Sequence, residues 1–231
     1  MSKKVLLKSK EPQSIWNPLK DLYYDYGIGY DPFDFNLENK KINKEFVESF
    51  GANLTRNLDL RREYSYAIPS DSIGTAIKTI CNSDVVEIGA GLGYWAKYLE
   101  QFDINVVAFD PKGNHRSGYF TIENEYHKVL EGGVEQVTLH SDKALMLCWP
   151  PYDDPMAYEA LVLYKGNYLI YIGESSYGCT GDHAFFNLLE DEWELVHHNR
   201  DVMNWWGIHS AEFIYKRKNT FGENSGTEEI Y

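Results

Sequence analysis

The densest chemical information in the chain lies in Val85-Val-Glu-Ile-Gly-Ala-Gly-Leu-Gly-Tyr94. A short apolar run carrying one acid, Glu87, leads into Gly89, Gly91 and Gly93, with Ala90 between the first two. Glycines at this spacing let a chain turn sharply from strand into helix and let a ligand touch the backbone. A dinucleotide-binding turn wants G-x-G-x-x-G, which would put its third glycine at position 94. That residue is Tyr94, and the third glycine comes one residue early. An acid two residues before the first glycine suits a ligand with a positive centre and an ammonium better than a pyrophosphate.

Other reactive side chains are scattered. Glu174 falls just past an apolar run, where it either faces a substrate or is a solvated loop acid, and the loop after it, Ser175-Ser-Tyr-Gly-Cys-Thr-Gly181, is small and polar. Cys179 is a nucleophile only with a base beside it; none is apparent, and a bystander thiol is the preferred reading. His209 is a candidate general base, with a hydrogen-bonded loop histidine slightly preferred. Trp205 and Trp206 are costly to leave in water, so they either pack against a helix layer or wall a pocket. His197 and His198 point to opposite faces of a strand, and Asp182 and His183 have no third ligand nearby in sequence, so no metal is expected.

These residues must be positioned by alternating strands and helices. Short β-rich runs fall at 85–88, 105–109, 127–130, 143–148 and 167–173, with two more in succession at 193–198 and 211–216. Helices are expected from Pro69-Ser70-Asp71 onward, with Ser70 or Asp71 as cap and Ile73, Ile77 and Ile80 on one face, then over 94–101, 154–164 (capped by Asp153 or Asp154) and 182–190. Alternation of this kind implies an α/β three-layer sandwich with a mostly parallel seven-stranded sheet, and the two successive strands at the end imply an antiparallel last strand. Residues 1–69 read as an N-terminal helical and aromatic extension or cap. Within it lie a basic tip (Lys3, Lys4, Lys8, Lys10), an aromatic-acidic stretch over 21–35 and a helix over 37–50. The ligand-binding domain is expected over 70–218, and 219–231 as a frayed tail.

The motif Glu87-Ile-Gly89-Ala-Gly91-Leu-Gly93 resembles that of the class I S-adenosylmethionine (SAM)-dependent methyltransferases, in which a strand ends Asp/Glu-x-Gly-x-Gly-x-Gly. The resemblance covers about residues 70–218 and implies that family's sheet. It implies SAM as cofactor, with Glu87, Gly89, Ala90, Gly91 and Gly93 around its amino-acid end. Asp110, closing the second strand, would hold the ribose hydroxyls, and Gly133, Val134 and Glu135 would lie at the adenine edge. Tyr64-Ser-Tyr-Ala-Ile-Pro69 would approach the methionine end, with Arg61 and Arg62 as candidates for a carboxylate contact.

Cys148-Trp-Pro-Pro-Tyr152 resembles the (Asn/Asp/Ser)-Pro-Pro-(Tyr/Phe) loop of amino-group methyltransferases. By that resemblance Cys148 borders the cofactor, and Trp149, Pro150 and Tyr152, with His209, form the methyl-acceptor side. Trp149 departs from the pattern, because an indole N–H only donates. A SAM-dependent methyltransferase acting on a nitrogen or oxygen nucleophile of a small molecule or protein side chain is the expectation. A SAM-binding domain without catalysis, serving as sensor or partner subunit, is the alternative, and an NAD(P)-dependent oxidoreductase a weaker one.

Composition bounds these readings. The 231 residues are 43% apolar, enough for a core. Lys and Arg number 22 against 35 Asp and Glu, a formal charge of −13, which argues against a nucleic-acid acceptor without a basic partner, and against an anionic lipid surface. Three scattered cysteines do not make a disulfide framework. Met1-Ser-Lys-Lys-Val-Leu-Leu-Lys8 has no apolar stretch of useful length, so no secretory signal is expected, and no run approaches a membrane span. A cytoplasmic location is the expectation.

Overall fold

The computed structural model describes residues 15–26 (side chains to 22), 55–111, 125–176, 178–205 and 207–218. The helix expected over 37–50 and the tail 219–231 lie outside the described residues. Seven strands form one sheet: β1 Val85–Ile88, β2 Val106–Asp110, β3 Val129–Glu131, β4 Ala144–Cys148, β5 Tyr168–Gly173, β6 Trp193–Asn199 and β7 Ala211–Arg217. Their order is β3-β2-β1-β4-β5-β7-β6. The first five run parallel, and β7 is antiparallel to both β5 and β6. The helices are α1 Pro18–Tyr26, α2 over 55–63, α3 Ile73–Ile80, α4 Tyr94–Leu99, α5 Met156–Leu163 and α6 His183–Glu192. This is the mostly parallel α/β sandwich that the resemblance implies, with its antiparallel strand β7.

The sheet is covered on both faces, so its central strands read as continuous apolar runs rather than alternating ones. Successive side chains still part to opposite sides. Val85, Met146, Ile170, Ile172 and Ile214 pack with Ile73, Ile77, Trp95 and Leu99 on one side. Val86, Leu145, Leu147, Leu169, Tyr171 and Phe213 pack with Ala157, Ala160, Leu161, Phe185 and Leu189 on the other.

Described parts of the N-terminal region share the first of these cores. Leu19 and Leu60 are buried in it. Asn17 Nδ2 donates to Pro69 O at 2.9 Å, and Tyr94 Oη donates to Asn17 Oδ1 at 2.8 Å. The ring of Trp16 lies 5.1 Å from that of Tyr94 and 5.7 Å from that of Tyr126.

The start of one helix departs from its expected cap in an informative way. α3 begins at Ile73 after Ser72, which makes no capping hydrogen bond. Ser70 faces Glu212 on β7 instead: its N–H donates to Oε1 at 2.8 Å and its hydroxyl to Oε2 at 2.6 Å. Asn199 Nδ2 donates to the same Oε2 at 3.0 Å. Of the two aspartates before α5, Asp154 serves its start, accepting from Met156 N at 3.0 Å. Asp182 caps α6, accepting from Phe185 N at 2.8 Å. The third strand is shorter than expected and later. His127 lies before it, its ring nitrogens against Glu100 Oε1 (2.9 Å) and Val106 O (3.1 Å). A 3-10 turn over Val134–Leu139 carried no sequence signal.

Glu212 is buried, and its loss would strand two donors of buried Ser70 and release the half-buried Asn199 amide. Glu212→Ala is therefore expected to lower unfolding free energy by about 2–4 kcal/mol in a urea titration. A loss below about 0.5 kcal/mol would mean that this junction between β7 and the start of α3 carries no weight.

Candidate functional site

Ligands of open α/β sheets bind beyond the carboxyl ends of the strands. There β1 gives way to Gly89, Gly91 and Gly93, with φ of +78°, +55° and +74°. These are left-handed values that favour glycine. The neighbouring strand holds the turn. Gly89 N and Ala90 N both donate to Phe109 O, at 2.8 and 3.0 Å, and Gly91 N donates to Asp110 Oδ2 at 2.9 Å. Gly93 then caps α4.

Glu87 lies on the α3/α4 side of β1 and is fully buried, and its Oε2 has no hydrogen-bond partner. Burial pushes its carboxyl up to about 8; the charge of Asp110 adds to this, and a backbone hydrogen bond from Ala96, in the first turn of α4, opposes it. A buried acceptor in this condition needs a donor or a cation to satisfy it.

Asp110, half-buried, closes β2 in register with Glu131 of β3. Past β3, Gly132 N donates to Asp110 O at 3.3 Å and Gly133 N to Glu135 Oε1 at 2.9 Å. The bond from Gly133 holds the Glu135 carboxyl below its usual range. Cys148 closes β4. Burial pushes its thiol well up, the Glu87 charge adds to this, and a hydrogen bond with Ser65 opposes it. Glu87, Gly89, Ala90, Gly91, Gly93, Asp110, Gly133, Val134 and Cys148 thus fall along the adjacent ends of β1 to β4.

The loop after β4 is knitted to two others. Trp149 has φ +53°, a strained value for a bulky residue. Its N–H donates to Ile172 O at 2.8 Å, its Nε1 donates to Ser210 Oγ at 2.8 Å, and its ring stacks on Tyr66 at 5.4 Å. Pro150 O accepts from Gly181 N at 3.2 Å, and Asp153 N donates to Gly181 O at 3.0 Å. Tyr152 is 68% exposed. His209 is exposed, and its N–H donates to Glu174 Oε1 at 2.8 Å.

Glu174 is buried, contrary to a solvated loop acid, and its oxygens are engaged by backbone amides, Cys179 N reaching Oε2 at 2.6 Å. Trp205 is buried in the core beside Arg61, whose guanidinium lies 5.7 Å from its ring and 6.0 Å from that of Tyr66. Packing, not a pocket wall, is the outcome for Trp205; Trp206 lies outside the described residues. Cys179 is exposed. The residues that sequence reasoning missed include Ser210 and Glu212, small or polar side chains whose partners Trp149 and Ser70 lie far away in the chain.

Among the described residues no group of three His, Cys, Asp or Glu side chains is placed to hold a metal ion. No described helix is long and apolar enough to cross a membrane. No protein-family model matches the chain, and no curated protein matches it. Solved structures similar to it include TehB from Haemophilus influenzae, at 12% identity and TM-score 0.43 over 69% of this chain and 66% of that one. Another is the 1,6-didemethyltoxoflavin-N1-methyltransferase of Burkholderia thailandensis with bound 1,6-didemethyltoxoflavin and S-adenosylhomocysteine, at 12% identity and TM-score 0.46 over 78% of this chain and 93% of that one. A third is the magnesium protoporphyrin IX methyltransferase of Synechocystis PCC 6803 with bound SAM, at 10% identity and TM-score 0.40 over 87% of this chain and 96% of that one.

Proposed function

We propose that this chain is a SAM-dependent methyltransferase acting on a nitrogen or oxygen nucleophile of a small molecule or protein side chain. The observation that carries the reading is Glu87: a buried carboxyl with an unsatisfied oxygen, on the strand that runs into three left-handed glycines. SAM, when bound, supplies a methyl group on a positively charged sulfur. Glu87 would face the cationic amino-acid end and release its proton to solvent as the cation binds. Gly89, Ala90, Gly91 and Gly93 let the backbone approach. Asp110, whose Oδ2 also accepts from Gly91 N, accepts the ribose hydroxyls. Gly133 and Val134 line the adenine edge, and Cys148 borders the cofactor. On the acceptor side, Tyr152 offers an exposed aromatic face and Pro150 O retains a second lone pair. His209 is the candidate base. We place the activity in the cytoplasm on composition.

The test is thermal unfolding with S-adenosylhomocysteine, with NADH as control. At 100 times its dissociation constant S-adenosylhomocysteine is expected to stabilise the protein by roughly 2.7 kcal/mol and NADH not at all. Asp110→Ala is expected to weaken S-adenosylhomocysteine at least about tenfold, the loss of a charge-assisted hydrogen bond or more. Equal affinity in that variant would remove the ribose assignment, and a shift with NADH alone would replace the methyltransferase by an oxidoreductase.

One observation favours SAM binding without transfer: Trp149 has only a donor to offer, and that donor is spent on Ser210. Methyl transfer from labelled SAM, lost in Tyr152→Ala with cofactor binding intact, would reject this second reading.

A further inference from the structure

Three loops meet beyond β4, β5 and the start of β7, and one side chain joins two of them. Glu174 Oε2 accepts from Cys179 N at 2.6 Å, and Oε1 accepts from His209 N at 2.8 Å. Its own N–H donates to Thr180 Oγ1 at 3.0 Å, and Tyr171 Oη donates to its carbonyl at 2.6 Å. Each loop it holds then touches the loop after β4. From 175–181, Gly181 bonds Pro150 O and Asp153 N. From 204–210, Ser210 accepts from the Trp149 indole, and Ser210 N donates to Asn204 Oδ1 at 2.9 Å.

We propose that Glu174 is the positioning residue of the acceptor side: its carboxylate holds residues 178–181 and 207–210 as one wall, and that wall fixes Trp149 and Pro150. The proposal rests on the reading of this edge as a methyltransferase site. Two features make the carboxylate more than one contact among many. It is buried, and both amides lose their carboxylate acceptor without it. Trp149 carries a strained φ, which persists only where surrounding contacts over-determine it. The glycine turn draws its support from β2, not from these loops. Loosening Glu174 therefore disturbs the acceptor side and leaves the cofactor side in place.

Chemistry separates the two substitutions. Alanine releases both loops. Glutamine keeps one carbonyl acceptor and sets an NH2 group against the other amide, so it holds one loop and releases the other. The experiment combines hydrogen exchange of peptides over 85–95, 178–181 and 207–210 with the indole N–H resonance of Trp149, assigned through Trp149→Phe, and with S-adenosylhomocysteine titration. Glu174→Ala is expected to lose at least about tenfold protection in both loops and to shift or broaden the Trp149 indole resonance, although Glu174 does not touch that ring. Protection over 85–95 and affinity for S-adenosylhomocysteine should stay within about twofold, a change under about 0.4 kcal/mol. Glu174→Gln should open one loop only. Unchanged loops in either folded variant would overturn the proposal, and so would equal loss over 85–95, which would make Glu174 a general stabiliser. If Glu174→Ala fails to fold, Glu174→Gln decides. A wild-type protein that binds no S-adenosylhomocysteine would sink the methyltransferase reading, while exchange and the indole resonance would still decide the role of Glu174.

Discussion

Replacing Glu87 by Gln is expected to make the ligand-free protein more stable at pH 8 and to abolish useful cofactor binding. Burial raises the folded pKa of Glu87 to about 8 from about 4.5. Between those values the folded protein keeps a proton that the unfolded chain has released. Stability therefore falls as pH rises from about 4.5 to about 8, and levels off above. Glutamine cannot ionise, so the variant is flat through that window and retains an oxygen for the Ala96 amide. At about 1.4 kcal/mol per pH unit the gain at pH 8 is on the order of 4 kcal/mol, or roughly 10 °C in Tm. The opposite sign applies to binding. A ligand ammonium needs the ionised carboxylate, so removing it should weaken S-adenosylhomocysteine by about 100-fold or more. Binding to the wild type below pH 7 should release close to one proton, measured by calorimetry in buffers of different ionisation enthalpy. No proton release, or a Glu87→Gln protein that binds normally, would take Glu87 out of the site.

Gly93→Ala should cost nearly as much in the other direction. Its φ of +74° alone disfavours alanine by about 1–2 kcal/mol. The new methyl would also sit 2.9 Å from His127 Cβ and 3.0 Å from His127 O. Those atoms cannot easily retreat, because the His127 ring is fixed between Glu100 and Val106 O. Overpacking adds about 1–3 kcal/mol, so a total of about 2–5 kcal/mol and a drop of roughly 10 °C in Tm are expected. Gly207→Ala is the matched control, since φ there is +72° and nothing lies within 4 Å of the added atom. Equal losses in the two variants would show that the His127 contact is soft.

The central strands were legible because burial on both faces writes itself as an apolar run, as in Val85–Ile88 and Tyr168–Gly173. The glycine turn was legible because its three positive φ values demand glycine, a local requirement with a local signature. Asp110 was placed through the resemblance, and its side chain does reach the turn at Gly91. Glu174 and Glu212 were not legible as structural acids. Their partners lie at His209 and Ser70, 35 and 142 residues away, and no local pattern encodes such a meeting. The cap of α3 failed for the same reason: Ser70 had the right side chain for a cap, but Glu212 claimed it from the far end of the chain. Trp205 read as core or as pocket wall, with packing slightly preferred, because an indole is suited to both.

The bonds from Gly89 and Ala90 to Phe109 O, and from Gly91 to Asp110, have a kinetic consequence. Apart from the bond from Gly93 N to Ala90 O, the amides of the turn have no acceptor before β1 and β2 pair, and that pairing closes a loop of about twenty residues through α4. In a denatured chain the segment around Gly89 is an unformed receptor, with no partial grip to offer. A ligand that binds there recognises the paired strands and not the denatured chain. It should slow unfolding in proportion to its concentration and leave the refolding rate almost untouched, as expected for contacts absent from the transition state.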